Sequence, residues 1–182
     1  MHYFLKYISQ LILAPGPGWE DISKAGSDVK WLLLYGFYPL MALTVLSSLM
    51  DFCYHDITVG QFFHGALVIV AKYFLTYYFA VFMYSMFLHK YIVGTQNEKR
   101  NSTFVLYILS ILMLIEFLAN FFPTDVPLIQ LFPLYLVIII WRGARYMAVV
   151  EAKMWHFIGL SVAAMILPTY LIPSLFNAMF PN

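Results

Sequence analysis

Apolar positions run nearly unbroken through five stretches of this chain: Trp31 to Met50, Gly65 to Leu88, Thr103 to Phe122, Leu128 to about Val150, and Phe157 to Phe180. A bilayer hydrocarbon core about 30 Å thick needs roughly 20 apolar residues per helix, so each stretch predicts a membrane-spanning α-helix. Ahead of them the pattern changes. Phe4, Tyr7, Ile8, Leu11 and Ile12 recur at helical spacing on one face, with Lys6, Ser9 and Gln10 away from it. Such a stripe predicts a short amphipathic helix lying in the membrane interface, with Phe4, Ile8 and Leu11 in lipid and Lys6 and Gln10 in water. A helix that merely packs on the rest of the protein would carry the same stripe. Pro15-Gly16-Pro17-Gly18 is expected to end it, because proline lacks an amide donor and glycine is permissive. Trp19 follows and suits the headgroup layer. The stretch before Pro15 offers no small-residue cleavage site and is expected to stay in the mature protein.

The predicted fold class is an all-α integral membrane protein. Residues 1–182 form a single domain, with an interfacial helix and linker over 1–30 and spans at about 31–50, 65–88, 103–122, 128–150 and 157–180. Composition narrows the function classes further. With 63% hydrophobic and only 10% charged residues, the chain could not cover a water-facing surface, since soluble domains carry about 25% charged residues. A net charge of +1 without a basic block gives no footprint for nucleic acid. Cys53 is the single cysteine and has no internal disulfide partner.

Charge on the connections predicts orientation. Lys6, Lys24 and Lys30 precede the first span, Lys90, Lys99 and Arg100 separate the second from the third, and Arg142, Arg145 and Lys153 separate the fourth from the fifth. The alternate connections, 51–64 and 123–127, carry no Lys or Arg and instead hold Asp51, Asp56 and Asp125. By the positive-inside rule the N-terminus is cytoplasmic, and an odd number of spans puts Asn182 outside. If the fourth helix continued past its short apolar core, Arg142, Arg145 and Lys153 would share one face of it. They are then candidates for contact with anionic lipid headgroups as well as plain topological charge. Prolines inside spans, at Pro39, Pro133, Pro168 and Pro173, predict local breaks in the helical hydrogen bonding. Gly159 and Ala163 put two small residues four apart on the last span. No internal repeat is evident, which disfavours the inverted-repeat transporter plan.

Leu11-Ile12-Leu13-Ala14-Pro15, then Trp19-Glu20-Asp21-Ile22, a polar linker, and Tyr35-Gly36-Phe37-Tyr38-Pro39-Leu40 opening the spans, together resemble the small bacterial members of the Yip (Ypt-interacting-protein) family. The resemblance covers the whole chain. It implies a five-span domain with a cytoplasmic N-terminus, preceded by a short helix, and implies no reaction, catalytic residue or cofactor.

Local chemistry is concentrated in an intramembrane charge pair. Lys72 in the second span and Glu116 in the third fall at similar depth, roughly 9 to 13 Å in at 1.5 Å per residue, on adjacent antiparallel helices. A lone charge there is costly, so pairing is expected, with Asn120 one turn from Glu116 as a hydrogen-bond partner. The pair could be a structural salt bridge or a proton relay with Glu116 as carrier. Asp51, His55, Asp56 and His64 form a second constellation whose residue types suit zinc, although their spacing matches no recognised metal motif. No phosphate loop and no hydrolase or zincin signature occurs.

The expectation is a non-catalytic membrane protein of the Yip-like type, engaged in membrane organisation or in protein and lipid interaction, without a cofactor. The bacterial cytoplasmic (inner) membrane is the expected location, with a eukaryotic endomembrane as the alternative. Its expected partners are membrane lipids, with other membrane proteins or a second copy as further candidates, and no nucleic acid. Two alternatives stand beside it. One is a small transporter, channel or lipid-moving protein using Lys72 and Glu116, and the other is a membrane-bound metal-dependent enzyme.

Overall fold

The computed structural model describes residues 2–54, 56–122 and 127–179, and the side chains of Asp51 and of residues 127–131 lie outside that description. It is built of helices: α1 (His2–Leu13), α2 (Pro15–Ala25), α3 (Val29–Tyr54), α4 (Val59–Lys90), α5 (Glu98–Ala119), α6 (Pro127–Gly143) and α7 (Glu151–Met179). Among the described residues the only extended pairing is an isolated bridge between Ile92 and Val149.

Helices α3, α4, α5 and α7, at 26, 32, 22 and 29 residues, are long and apolar enough to cross a membrane. Helix α6 is apolar but has 17 residues, ending at Gly143 where the sequence pattern predicted continuation to about Val150. Its end coincides with a close approach. A Cβ on Gly143 would lie 2.5 Å from the Phe104 ring and 2.8 Å from Trp19 Nε1, so the helix reaches its end jammed against two aromatic rings. The chain then turns through residues 144–148, with Ala148 at a positive φ of 55°. It is pinned to the start of the α4–α5 connection by the Val93 N–H to the Ala148 carbonyl and the Val150 N–H to the Tyr91 carbonyl, each 2.8 Å.

Two of the four prolines expected to break helices, Pro39 and Pro168, act through wide turns, whereas Pro133 and Pro173 lie inside α6 and α7 without one of their own. Residues Leu33–Phe37 form one π-turn just before Pro39, and Val162–Ile166 another just before Pro168. Each proline lacks an N–H for the carbonyl four residues back and its ring crowds that carbonyl, and a widened turn relieves both defects.

The N-terminal segment departs from expectation. Phe4, Ile8 and Leu11 are fully buried in the protein (0% exposed) rather than turned to lipid. Phe4 stacks on Tyr107 of α5 with ring centroids 5.1 Å apart and presses against Gly36, where a Cβ would meet its ring at 2.6 Å. Packing therefore claims the apolar stripe, leaving His2, Tyr3, Lys6 and Ser9 exposed. Helix α1 does end at Leu13, just ahead of Pro15, but a new helix starts at once: Pro15 opens α2, because the first helical turn needs no N–H from it. Gly26 closes α2 in the left-handed conformation (φ 54°), its N–H reaching the Ile22 carbonyl at 3.3 Å.

Trp19, expected among headgroups, is 2% exposed. Its indole stacks between Phe104 and Tyr146, at centroid distances of 4.8 and 5.2 Å, and donates to the Ile139 carbonyl at 3.1 Å. Helix α5 is the hub of the fold, touching α1, α3, α4, α6 and α7.

Candidate functional site

The charged residue of α4 and that of α5 meet. Lys72 Nζ donates to Glu116 Oε1 at 2.6 Å and to Oε2 at 2.7 Å, and the Tyr73 hydroxyl donates to Oε2 at 2.5 Å. The carboxylate thus accepts from an ammonium and a phenol, the kind of charge-assisted bonding that makes a charge tolerable away from water. Neither charge is sealed. The Lys72 side chain is 12% exposed and that of Glu116 24%, and both line a cavity of about 340 Å³. Its other polar lining comes from Ser48, Gln61, His64, Asn120 and Asn177, so the pair sits at the wall of a partly polar pocket rather than in a dry seam.

Asn120 occupies this pocket with a different partner from the one expected. Its amide donates to Ser47 Oγ on α3 at 2.9 Å, and Ser47 in turn donates to the Thr44 carbonyl at 2.8 Å. Only the Asn120 backbone N–H serves Glu116, at the main-chain carbonyl, 3.1 Å away. Asn120 therefore ties α5 to α3 while Glu116 ties it to α4. Tyr73 is the residue that sequence reasoning missed. It directly follows Lys72 and is buried (2% exposed); the available signal was a phenol beside a cation within a long apolar stretch.

Of the proposed metal constellation, His55 and the Asp51 side chain lie outside the described residues, Asp56 is exposed, and His64 belongs to the cavity just described. Among the described residues, no group of three or more His, Cys, Asp or Glu side chains could hold a metal ion.

Arg142 and Arg145 are exposed and line a second cavity, about 570 Å³, with Trp19, Glu20, Trp141 and Glu151. Arg142 lies over the Trp141 ring at 4.8 Å. Lys153 does not join them on a continued helix; it sits in the 3₁₀ turn Glu151–Lys153 and donates to the Lys90 carbonyl at 2.6 Å. With Glu20 and Glu151 on its lining beside the two arginines, this groove carries both signs of charge. Tyr146, on its wall, is held neutral: burial pushes its hydroxyl up to about 12, against a smaller opposing pull from a hydrogen bond to Thr103 and the charge of Arg100.

Compared with known proteins, the chain matches no protein-family model, no curated protein and no solved structure.

Proposed function

We propose that this chain is a non-catalytic polytopic membrane protein of the Yip-like type, working through contacts with lipids and other membrane proteins in a bacterial cytoplasmic membrane. In this reading it crosses the bilayer five times, with α6 as a short fourth span, the N-terminus in the cytoplasm and the C-terminus outside. The observation that carries it is the gathering of basic connections at one end of the bundle. Lys99 Nζ bonds the Gly26 carbonyl at 2.7 Å, Lys153 bonds Lys90, and the two basic connections are stitched together at Ile92 and Val149. Trp31, Trp141 and Trp155 are exposed at the helix ends of the same side, as interfacial anchors are. At the opposite end the Tyr54 hydroxyl bonds the Phe121 carbonyl at 3.2 Å.

A helix of 17 residues is at the short end of the roughly 17–25 that span a bilayer, and local thinning or snorkelling arginines accommodate it. Reporter fusions after residue 94 and after residue 179 test the arrangement: the first should report cytoplasm and the second the outside. Both on one side would overturn the five-span reading.

The lipid-contact reading also predicts no solute movement. Purified protein in vesicles should pass protons and ions no faster than empty vesicles do. A second reading, a small transporter with Glu116 as proton carrier, is favoured by one observation: Lys72 and Glu116 border a cavity. Proton flux that disappears in Glu116→Gln would replace the first reading with the second.

A further inference from the structure

The cavity beside the charge pair extends along α4 from Lys72 to Gln61, eleven residues or about 16 Å of helix, and α7 contributes Pro173 and Asn177 to its wall. A volume near 340 Å³ is in the range of small-molecule sites, roughly 300–1,000 Å³. What distinguishes it is a cation and an anion on its lining that are in direct contact as an ion pair. Lys72 has three N–H donors and Glu116 takes up two of them at most; the ammonium's other contact is the face of the Tyr73 ring, 4.8 Å from its centroid, so one N–H has no oxygen acceptor from Glu116.

The pair itself restricts which ligand can enter. A purely anionic ligand that drew Lys72 away would leave Glu116 with the Tyr73 hydroxyl alone, and a purely cationic ligand would orphan Lys72. Either outcome strands a charge in a poorly solvated place. A ligand that carries both charges a few atoms apart can replace one ion pair by two and strand neither. It must also present N–H donors, because Glu116 accepts hydrogen bonds and a quaternary ammonium has none to give.

We propose that this cavity binds a phosphoethanolamine group, its phosphate received by Lys72 and its primary ammonium by Glu116. Asn177 adds an amide to the lining from α7, and Asn120, whose amide donates to Ser47, lies beside the pair. The inference rests on the lipid-contacting reading given above and names the headgroup that the outer-end cavity would select.

Native mass spectrometry of the intact chain from micelles doped with phosphatidylethanolamine, phosphatidylcholine or phosphatidylglycerol tests it. One phosphatidylethanolamine should be retained with about tenfold preference over each of the others, the size of one charge-assisted hydrogen bond. The double variant Lys72→Met/Glu116→Leu, which strands no charge, should lose that preference. Asn177→Ala, exposed and outside the pair, should weaken retention about threefold and provides the readout if the double variant does not fold.

Soluble phosphoethanolamine distinguishes the sources. If it displaces the lipid, the site reads the headgroup from solution as well as from the bilayer; if it does not, the acyl chains are part of recognition. Equal retention of the three lipids, or an unchanged preference in both the double variant and Asn177→Ala, overturns the proposal. Such a failure with the reporter topology intact would leave the membrane-organising reading standing, whereas altered topology with lipid preference retained would strike that reading alone.

Discussion

From Asn101 to Met113 every residue of α5 is buried, whereas from Leu114 to Ala119 none is. The composition of the helix does not account for the difference, since both halves are mostly apolar. What differs is the covering. On the basic side, α1 and α2 fold back over α5, and Trp19, Phe104, Tyr107, Tyr146 and Phe157 interlock around it. Toward the other end no such cap exists among the described residues, and α5 shares with α4 and α7 a pocket that keeps a charge pair partly accessible. One helix thus anchors a close-packed block at one end and borders a cavity at the other. Stability is expected to be concentrated in the first and ligand selectivity in the second.

The largest test of that contrast is Trp19→Ala. Removing a buried tryptophan costs about 3–5 kcal/mol, and this one also joins α2 to α5 and α6. A marked fall in the thermal midpoint in detergent is expected, with phosphatidylethanolamine retention unchanged in the protein that remains folded. A loss of lipid preference equal to the loss of stability would show that the two ends are not separate.

At the cavity the expected behaviour is coupling. Lys72→Met or Glu116→Leu alone strands a charge at a cost of about 3 kcal/mol, whereas the double variant should recover much of it. A thermodynamic cycle in which the single costs simply add would mean that the contact at 2.6 Å carries no energy.

Smaller still is Gly143→Ala. Its methyl would be placed against Phe104 and Trp19, and overpacking of this kind costs about 1–3 kcal/mol, read as a lowered unfolding midpoint. A neutral result would mean that the basic end is looser than its packing implies. The smallest effect belongs to Gly65→Ala and Gly159→Ala, where nothing lies within 4 Å of the new methyl. There the gain in helix preference, about 0.5–1 kcal/mol, should leave stability unchanged or slightly raised. A loss at either position would reveal packing on those faces that an isolated chain does not have.

The pairing of Lys72 with Glu116 was open to reasoning from sequence because only depth and adjacency were needed: antiparallel neighbours with charges at similar height have few other ways to satisfy them. Tyr73 and the Ser47 bond of Asn120 were not, because helix rotation and the approach of α3 decide them. The amphipathic stripe of α1 shows the limit most plainly. Spacing establishes that Phe4, Ile8 and Leu11 share a face, yet lipid and a protein core are equally apolar to that face. The choice fell to Gly36 and Tyr107, which provide a surface that Phe4 fits.

Hydropathy and length by themselves determined the helical, apolar character of this protein, four of whose described helices are long and apolar enough to cross a membrane, because an unsatisfied backbone in an apolar medium leaves few alternatives to helix. The start of α4 was not legible in that pattern, which opens the stretch at Gly65; the helix begins six residues earlier, where the Thr58 side chain and Gln61 satisfy each other's backbone. Only the tertiary structure decided that α6 stops at Gly143, that Trp19 leaves the headgroups for the core, and that the charge pair opens on a cavity. Each depends on which surfaces remain free once distant segments have packed, and a one-dimensional pattern of apolar and polar residues does not encode that distance of closest approach.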